Sequence, residues 1–165
     1  MTVRRATKTE SAEIARVLRA AFADIERLYI PAAFDATTPG VEAIRERFAE
    51  GPSWVALDGG HIVGTVGAVQ RKAGLYVRSM AVLPEARGRG VARALMAELE
   101  RFARGTRAPR MYLSTTPFLY SAIRLYESIG FRRTNDPPHD LFGTPLFTMA
   151  KELRPSRAMV GKAAP

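Results

Sequence analysis

The sequence contains no cysteine, and this absence excludes disulfide bonds, thiolate nucleophiles and cysteine-based metal sites together. It also has no apolar run near the roughly 20 residues that a helix needs to cross a bilayer, so we expect no membrane-spanning segment. Its first residues lead into charged side chains rather than an apolar stretch, which is not the pattern of a secretion signal. We therefore expect a cytoplasmic protein.

The length and composition are typical of one ordinary globular domain. The chain has 165 residues, of which 47% are hydrophobic and 25% are charged. This is enough for a core of its own, and it excludes collagen-like, low-complexity and acidic disordered classes. We expect a single domain over residues 1–153, followed by a flexible C-terminal tail over residues 154–165.

Basic charge is concentrated in one part of the sequence. The formal net charge is +9. Residues 71–133 carry 13 Lys and Arg against 4 Asp and Glu, whereas the charges nearly cancel in the segments before and after. Such a concentration indicates a polyanionic partner, which could be nucleic acid, phospholipid or a phosphorylated cofactor. The alternative is a solvated basic face.

The spacing of apolar residues predicts four helices and seven strands built around one sheet. Thr9 and Thr38 are the predicted N-caps of the first two helices, and two prolines mark segment 29–40 as a loop or a broken helix. The predicted helices span about 10–23, 39–50, 90–104 and 119–128. The predicted strands span 2–7, 54–57, 62–69, 75–83 and 110–115, with two more beginning at 131 and 143. This order is typical of an α+β or mixed α/β domain, with an antiparallel meander in its middle.

The strongest local signal is the turn Arg87-Gly88-Arg89-Gly90-Val91-Ala92, which joins a proline-terminated strand to an amphipathic helix. The start of a helix leaves backbone N–H groups without partners and binds anions. Gly88 and Gly90 lack a Cβ, so a phosphate can approach the backbone, and Arg87 and Arg89 add charge. The turn is neither a P-loop nor a Rossmann fingerprint. The alternative is a plain glycine turn before a helix.

Two sequence blocks resemble the GNAT superfamily of acyl-CoA-dependent N-acetyltransferases. Residues 87–92 fit its Arg/Gln-x-x-Gly-x-Gly/Ala signature, and Met80-Ala81-Val82-Leu83-Pro84-Glu85 is similar to the preceding strand and its exit. Residues 121–131, Ser-Ala-Ile-Arg-Leu-Tyr-Glu-Ser-Ile-Gly-Phe, resemble the second block, Ala-x-x-Leu-Tyr-x-x-x-Gly-Phe. Spacing and element order match as well, so the resemblance covers about residues 2–153.

The resemblance implies the acyl-CoA N-acyltransferase fold, a twisted and mostly antiparallel sheet flanked by helices. This sheet would splay between the strands at 75–83 and 110–115, with the pantetheine arm of acetyl-CoA in the gap. It implies an N-acetyltransferase that uses acetyl-CoA as cosubstrate and acetylates a primary amine by direct attack in a ternary complex. The cofactor-binding residues that it implies are Met80, Ala81 and Val82 along the pantetheine arm, and Arg87, Gly88, Arg89, Gly90, Val91 and Ala92 beneath the pyrophosphate.

Tyr126 is the candidate catalytic residue. In the family, the tyrosine of the Leu-Tyr pair points at the sulfur of CoA as a general acid, and Tyr126 occupies that position. The alternative is a core tyrosine, because Leu119, Ile123 and Tyr126 lie on one helical stripe. The resemblance places the oxyanion donors among the backbone N–H groups near residues 80–82.

No side chain is predicted as the general base. Strand 75–82 contains no carboxylate, although some members of the family have a glutamate there. Glu42, Glu46 and Glu50 form one helical stripe, a pattern typical of solvated surface. We therefore expect a water chain to deprotonate the amine. Leu119 stands where the family often has an asparagine, so a side-chain amide contact to the cofactor is not expected there.

The resemblance implies an acceptor pocket that is built from segments 24–40 and 134–146. Carboxylates beside aromatic rings can hold a cationic amine, and ordinary loop residues are an equal alternative. The aromatic candidates are Tyr29, Phe34 and Phe142, and the carboxylates are Asp35, Asp136 and Asp140. His61 and His139 do not form a pair by spacing, and we expect no metal site.

Two further hypotheses compete with an acetyltransferase. An acyl-CoA-binding or regulatory module would keep the anion-binding turn without turnover, and Tyr126 weighs against it. A basic nucleic-acid-binding domain would interleave its cations with exposed aromatic residues, whereas the aromatic residues of segment 71–133 fall mostly on predicted apolar faces. We expect a small-molecule or peptide amine as partner, no nucleic acid and no membrane, and a possible homodimer.

Overall fold

Eight strands form one sheet in the computed structural model, which describes residues 1–153. The strands are β1 (Thr2–Arg5), β2 (Ser53–Asp58), β3 (His61–Arg71), β4 (Gly74–Val82), β5 (Arg110–Thr115), β6 (Arg132–Arg133), β7 (His139–Leu141) and β8 (Thr144–Glu152). Their order is β1-β2-β3-β4-β5-β8-β6, and β7 pairs with β8. Within residues 1–153, every pairing is antiparallel except that of β4 with β5. The predicted fold class and the central meander are confirmed, and the three-residue β7 is the strand that the sequence did not predict.

Five α-helices flank the sheet in the described part of the chain. They are α1 (Ser11–Phe22), α2 (Pro31–Thr37), α3 (Val41–Glu50), α4 (Val91–Gly105) and α5 (Tyr120–Ser128), with short 3-10 turns at Lys8–Glu10, Ala23–Leu28 and Pro84–Ala86. Helix α2 lies in the segment for which the prolines predicted a loop or a broken helix. Pro31 occupies its first turn, where backbone N–H groups have no partner within the helix, so the missing N–H of proline removes no hydrogen bond. In residues 1–153, none of these helices combines the length and apolarity that crossing a bilayer requires. The predicted tail at 154–165 lies outside the described residues.

Both predicted N-caps were wrong. At the first helix the capping box is formed by Thr7, whose N–H donates to Oε2 of Glu10 at 2.8 Å, so the helical turn begins at Lys8. At the second, the hydroxyl of Thr38 donates to the carbonyl of Phe34 at 2.8 Å and ends α2 instead. Gly40 is the N-cap of α3. Side-chain hydrogen bonding to a nearby carbonyl competes with capping for residues of this type.

Strand β3 lies in the centre of the core. Its residues from Ile62 to Ala68 are all buried, although successive side chains of a strand point to opposite faces. Both faces are therefore covered, with α1 and α4 each packed against this strand. Gly64 lets α4 approach closely, because a Cβ there would lie 2.9 Å from Cγ1 of Val91. The position of the α4 N-terminus is thus set by core packing against β3.

Candidate active site

The sheet separates between its two parallel strands. Strands β4 and β5 pair only through Leu75 with Met111 and Tyr76 with Tyr112. Beyond these pairs β4 continues to Val82 and β5 to Thr115 without further pairing. The predicted splay is confirmed. Within residues 1–153 it leaves one edge of β4 without a strand partner, so the backbone N–H and C=O groups of this edge can pair with an extended ligand.

A cleft of about 1090 Å³ opens at this separation. Its walls are residues 76–82 of β4, residues 113–116 at the end of β5, the start of α4, the face of α5 and the end of α1 with the turn that follows. Met80, Ala81 and Val82, predicted from sequence to bind the cofactor, lie along one wall. A cleft of this volume suits a ligand of substantial size.

The turn before α4 presents bare backbone to the cleft. Gly88 and Gly90 have φ angles of 73° and 80°, a left-handed conformation that favours glycine. A Cβ at either position would have no neighbouring atom within 4 Å, so the space above them is open. Gly90 is the N-cap of the 15-residue α4, with no side-chain cap and no acidic residue in the first turn. The first N–H groups of α4 are therefore available to an anion.

The two arginines of this turn bind other parts of the chain. Nη2 of Arg87 donates to the carbonyl of Ala21 at 2.6 Å, and Nη1 donates to Oδ2 of Asp24 at 3.2 Å. Nη2 of Arg89 lies 2.7 Å from Oδ2 of Asp58, and Arg89 is not part of the cleft wall. Backbone groups are thus the main anion donors of the turn, and a direct contact from Arg89 to the cofactor stays a prediction.

Tyr126 is both a core residue and a cleft residue. It lies on α5, is 6% exposed and packs its ring at 5.8 Å from that of Phe131, yet it also lines the cleft. Burial, with a smaller contribution from the nearby Tyr29 phenol, raises the pKa of Tyr126 above its usual value. Its phenol therefore keeps its proton at neutral pH, as a general acid must before it donates.

Comparison with known proteins assigns the family. The profile of the acetyltransferase (GNAT) family matches residues 19–131, which include the splayed strands, the glycine turn and Tyr126. The chain belongs to the GNAT acetyltransferase family. It is 33% identical over 127 residues to the mouse "Probable N-acetyltransferase family 8 member 5", covering 73% of this chain and 48% of that protein.

Two other similar proteins are aligned with this chain over a larger share of their own length. The chain is 30% identical over 135 residues to the uncharacterized N-acetyltransferase YjgM of Escherichia coli K12, covering 78% of this chain and 80% of that one. The structure of yncA from Salmonella typhimurium, with its cofactor acetyl-CoA, has a TM-score of 0.74 at 22% identity, covering 95% and 96% of the two chains. The chain spans about half the length of the mammalian relatives it matches first.

The wall of this GNAT cleft contains buried threonine hydroxyl groups that the sequence analysis did not predict. Thr115 and Thr116 are 3% and 2% exposed and line the cleft. Tyr29, whose ring lies 5.0 Å from that of Phe118 in an edge-on contact, also lines the cleft. Burial raises the pKa of Tyr29 to about 12, against a smaller opposite effect of a hydrogen bond with Thr116. Within residues 1–153, Oγ1 of Thr115 has no hydrogen-bond partner; buried hydroxyls of this kind are rare, so Thr115 is suited to bind a ligand.

The three carboxylates considered as candidates to hold the amine have other partners in the structure. Asp35 lies 3.5 Å from Arg19, Asp136 accepts a 2.6 Å hydrogen bond from Thr134, and Asp140 accepts one of 2.6 Å from the N–H of Gly143. Among residues 1–153, none of the three lies in the cleft wall. The alternative of ordinary loop residues is therefore the one the structure supports.

Of the aromatic candidates, only Tyr29 lies in the cleft wall. Phe34 is buried beneath it, with the two ring centroids 6.0 Å apart. Phe142 is 63% exposed at a turn with φ of 48°. All three lie in the segments expected to build the acceptor pocket, but which of them faces the cleft depends on the course of α2 and of the turn before β8.

Two polar pairs at the cleft join residues far apart in sequence. Nη1 of Arg47 on α3 donates to Oγ of Ser79 on β4 at 2.8 Å, and both residues line the cleft. Oγ of Ser114, also in the cleft wall, lies 3.1 Å from Nε2 of His139 on β7. No motif marks these positions, and the sequence signal for His139 was only its residue type.

Proposed function

We propose that this chain is an acetyl-CoA-dependent N-acetyltransferase, which transfers the acetyl group to a primary amine by direct attack in a ternary complex. The observation that carries the proposal is the meeting, in one cleft, of an open helix N-terminus, an unpaired strand edge and a buried protonated phenol. The names of the relatives and the acetyl-CoA in the Salmonella structure support the same activity. The acceptor is a small-molecule or peptide amine.

The residues present fit acetyl-CoA. The open space above Gly88 and Gly90 gives a pyrophosphate access to the N–H groups through Ala92, and a substituent at either glycine would occupy that space. The backbone of β4 from Met80 to Val82 would pair with the amides of the pantetheine arm, because no strand pairs with this edge. When bound, acetyl-CoA supplies an acetyl group activated as a thioester.

The chain's own groups meet the remaining demands of acyl transfer. A lysine-like amine has a pKa of about 10.4, so roughly 1 in 2,500 molecules is neutral at pH 7, which costs about 4.6 kcal/mol. Within residues 1–153, the only acid in the cleft wall is Asp24, which is bound to Arg87, so a water chain remains the proposed path for the proton. Backbone N–H groups near Met80 would face the developing oxyanion, and Tyr126 holds a proton at its hydroxyl for the leaving sulfur.

Surface ion pairs account for part of the basic segment. Arg101 and Arg104 pair with Glu98 and Glu100 along α4, on the helix surface rather than in the cleft wall. Their charge is therefore largely balanced locally, which weakens the case for a nucleic-acid partner. Whether the protein forms a homodimer stays a prediction.

Turnover and cofactor binding test the proposal together. Incubation with acetyl-CoA and a panel of primary amines should release free CoA, and calorimetry should detect CoA binding. Gly90→Val should weaken CoA binding at least about tenfold, because valine is strained at this φ and fills the anion site. Gly105→Ala is the matched control, since Gly105 also has open space around its Cα and its φ is not left-handed. Binding without turnover of any amine would favour the acyl-CoA-binding module instead, and no binding at millimolar CoA would contradict both.

A further inference from the structure

Within residues 1–153, the guanidinium of Arg47 at the cleft makes no direct ion pair with a carboxylate. The residue lies on α3, is partly buried and lines the cleft. Its guanidinium donates to the hydroxyl of Ser79 at 2.8 Å, and among residues 1–153 no acidic oxygen lies within ion-pair distance of it. Glu50, whose charge acts on Arg47, is paired directly with Arg78 instead, at 2.6 Å.

The surroundings of Arg47 disfavour the charged form of its guanidinium. Burial and the neighbouring charge of Arg78 both lower the pKa of Arg47 from its usual value, against smaller opposite effects of Glu50 and Tyr76. A partly buried charge is normally compensated by a partner of opposite sign. A guanidinium at the wall of a ligand cleft without a direct ion pair is therefore suited to an anionic group of the ligand.

The backbone conformation of β4 positions Ser79, whose hydroxyl accepts the hydrogen bond from Arg47 at the cleft wall. The register between β3 and β4 shifts between Thr65 and Gly67, so Ser79 lies in a β-bulge, a feature that redirects side chains beside active sites. Ser79 has a φ of 54°, which is unfavourable for a residue with a Cβ. This strained conformation directs its hydroxyl to Arg47, one residue before Met80, where the proposed acyl-transfer site begins.

An anionic group bound to Arg47 would lie apart from the phosphates of the cofactor. The pyrophosphate site at Gly88 to Ala92 lies beyond the end of β4, whereas Ser79 lies within the strand. A single planar guanidinium also matches a carboxylate, which it can bind through two parallel hydrogen bonds. In an α-amino acid one carbon atom separates the amine nitrogen from the carboxylate carbon, so a carboxylate on Arg47 keeps the amine beside the Ser79–Met80 step.

The geometry points to Arg47 as the carboxylate receptor of the acceptor site, so that the acceptors are α-amino acids or related amines that carry a carboxylate. This inference rests on the proposed acetyltransferase function and defines its substrate class. Arg47 is then a binding and specificity residue rather than a proton carrier. Its loss should remove the advantage of carboxylated acceptors and leave the acetyl-CoA site unchanged.

The test compares each α-amino acid with the amine that remains when its carboxylate is removed, for example phenylalanine with phenethylamine and leucine with isoamylamine. The wild-type protein should favour the amino acid of at least one such pair by about 30-fold or more in kcat/KM. Arg47→Gln should reduce this ratio to near one, and Arg47→Lys should keep part of it, because lysine retains charge without the planar fork. Arg45→Gln is the matched control, since Arg45 is an exposed arginine of the same helix, paired with Glu42.

Separate readouts distinguish the possible failures. Unchanged CoA affinity would show that Arg47→Gln is folded and that its acetyl-CoA site is intact. Equal rates for amino acids and bare amines in the wild-type protein, or an unchanged preference in Arg47→Gln, would overturn the inference while the acetyltransferase activity stands. Absence of CoA binding and of turnover with every acceptor would overturn the proposed function and this inference with it.

Discussion

The guanidinium of Arg87 donates a 2.6 Å hydrogen bond to the backbone carbonyl of Ala21, which joins the glycine turn before α4 to the last turn of α1. Carbonyls in the last turn of a helix have no partner within the helix, and a cation there also interacts favourably with the helix dipole. The same side chain pairs with Asp24 at 3.2 Å. Arg87 thus acts as a brace between α1 and the proposed phosphate site.

Loss of this brace should weaken cofactor binding without removing the site. We expect Arg87→Met to raise the Kd for CoA about three- to tenfold, because the turn would lose its fixed position relative to the cleft. Calorimetry with CoA measures this directly. Arg101→Met is the control, since Arg101 is an exposed arginine of α4 paired with Glu98. Equal affinities for the Arg87 variant and the wild-type protein would show that the turn holds its shape unaided.

The parts of the site that the sequence predicted are local in the chain. The glycine turn and α4 are adjacent, so the helix N-terminus at Gly90 could be predicted from a short segment with no knowledge of the rest. Tyr126 was located by its block of neighbouring residues in the same way. The meander was equally accessible, because tight turns connect its strands and set their register.

The parts that the sequence did not predict depend on long-range packing. Arg47 and Ser79 are 32 residues apart, and the bulge that brings them together exists only once β3 and β4 are paired. His139 reaches Ser114 through a three-residue strand that forms only against β8. Neither contact leaves a periodic pattern in the sequence, so residue type alone could nominate these side chains but not pair them.

The strained backbone at Ser79 predicts an unusual order of stability. Ser79→Gly should be more stable than Ser79→Ala by about 0.5–1 kcal/mol, because both lack the hydroxyl but only glycine accepts the φ of 54° freely. At Ser53, in β2 and without a left-handed φ, the order of the matched glycine and alanine variants should reverse. Urea unfolding of all four proteins measures the two differences. An alanine variant at position 79 as stable as the glycine variant would argue against backbone strain there.

The proposed role of Tyr126 predicts a loss of rate rather than of affinity. Tyr126→Phe keeps the buried ring and its packing on Phe131 but removes the proton, so kcat should fall about 100-fold or more while the Kd for CoA stays within about threefold. Because burial raises the pKa of Tyr126 above the usual value of about 10, most of the phenol is still protonated at pH 10. The rate that depends on Tyr126 should therefore show no falling limb between pH 7 and pH 10. Tyr112→Phe makes the same chemical change on β5 outside the cleft wall, and a loss of kcat as large in that control would remove the special role of Tyr126.

The capping box at the start of the chain predicts a pH-dependent stability. Glu10 accepts from the N–H of Thr7 at 2.8 Å and from Nη2 of Arg4 at 2.7 Å, and the Arg4 hydrogen bond is the main cause that lowers the pKa of Glu10 below its usual value. A carboxyl with a lowered folded-state pKa stabilises the protein above its unfolded pKa of about 4.3, and this contribution is lost as the pH falls through the folded pKa. Glu10→Gln should therefore cost about 0.5–1 kcal/mol at pH 7 and much less near pH 3, as measured by urea unfolding. Glu46→Gln, at an exposed position in the middle of α3, is the control. A cost that is equal at both pH values would mean that the carboxylate charge contributes nothing and that only the shape of the side chain matters.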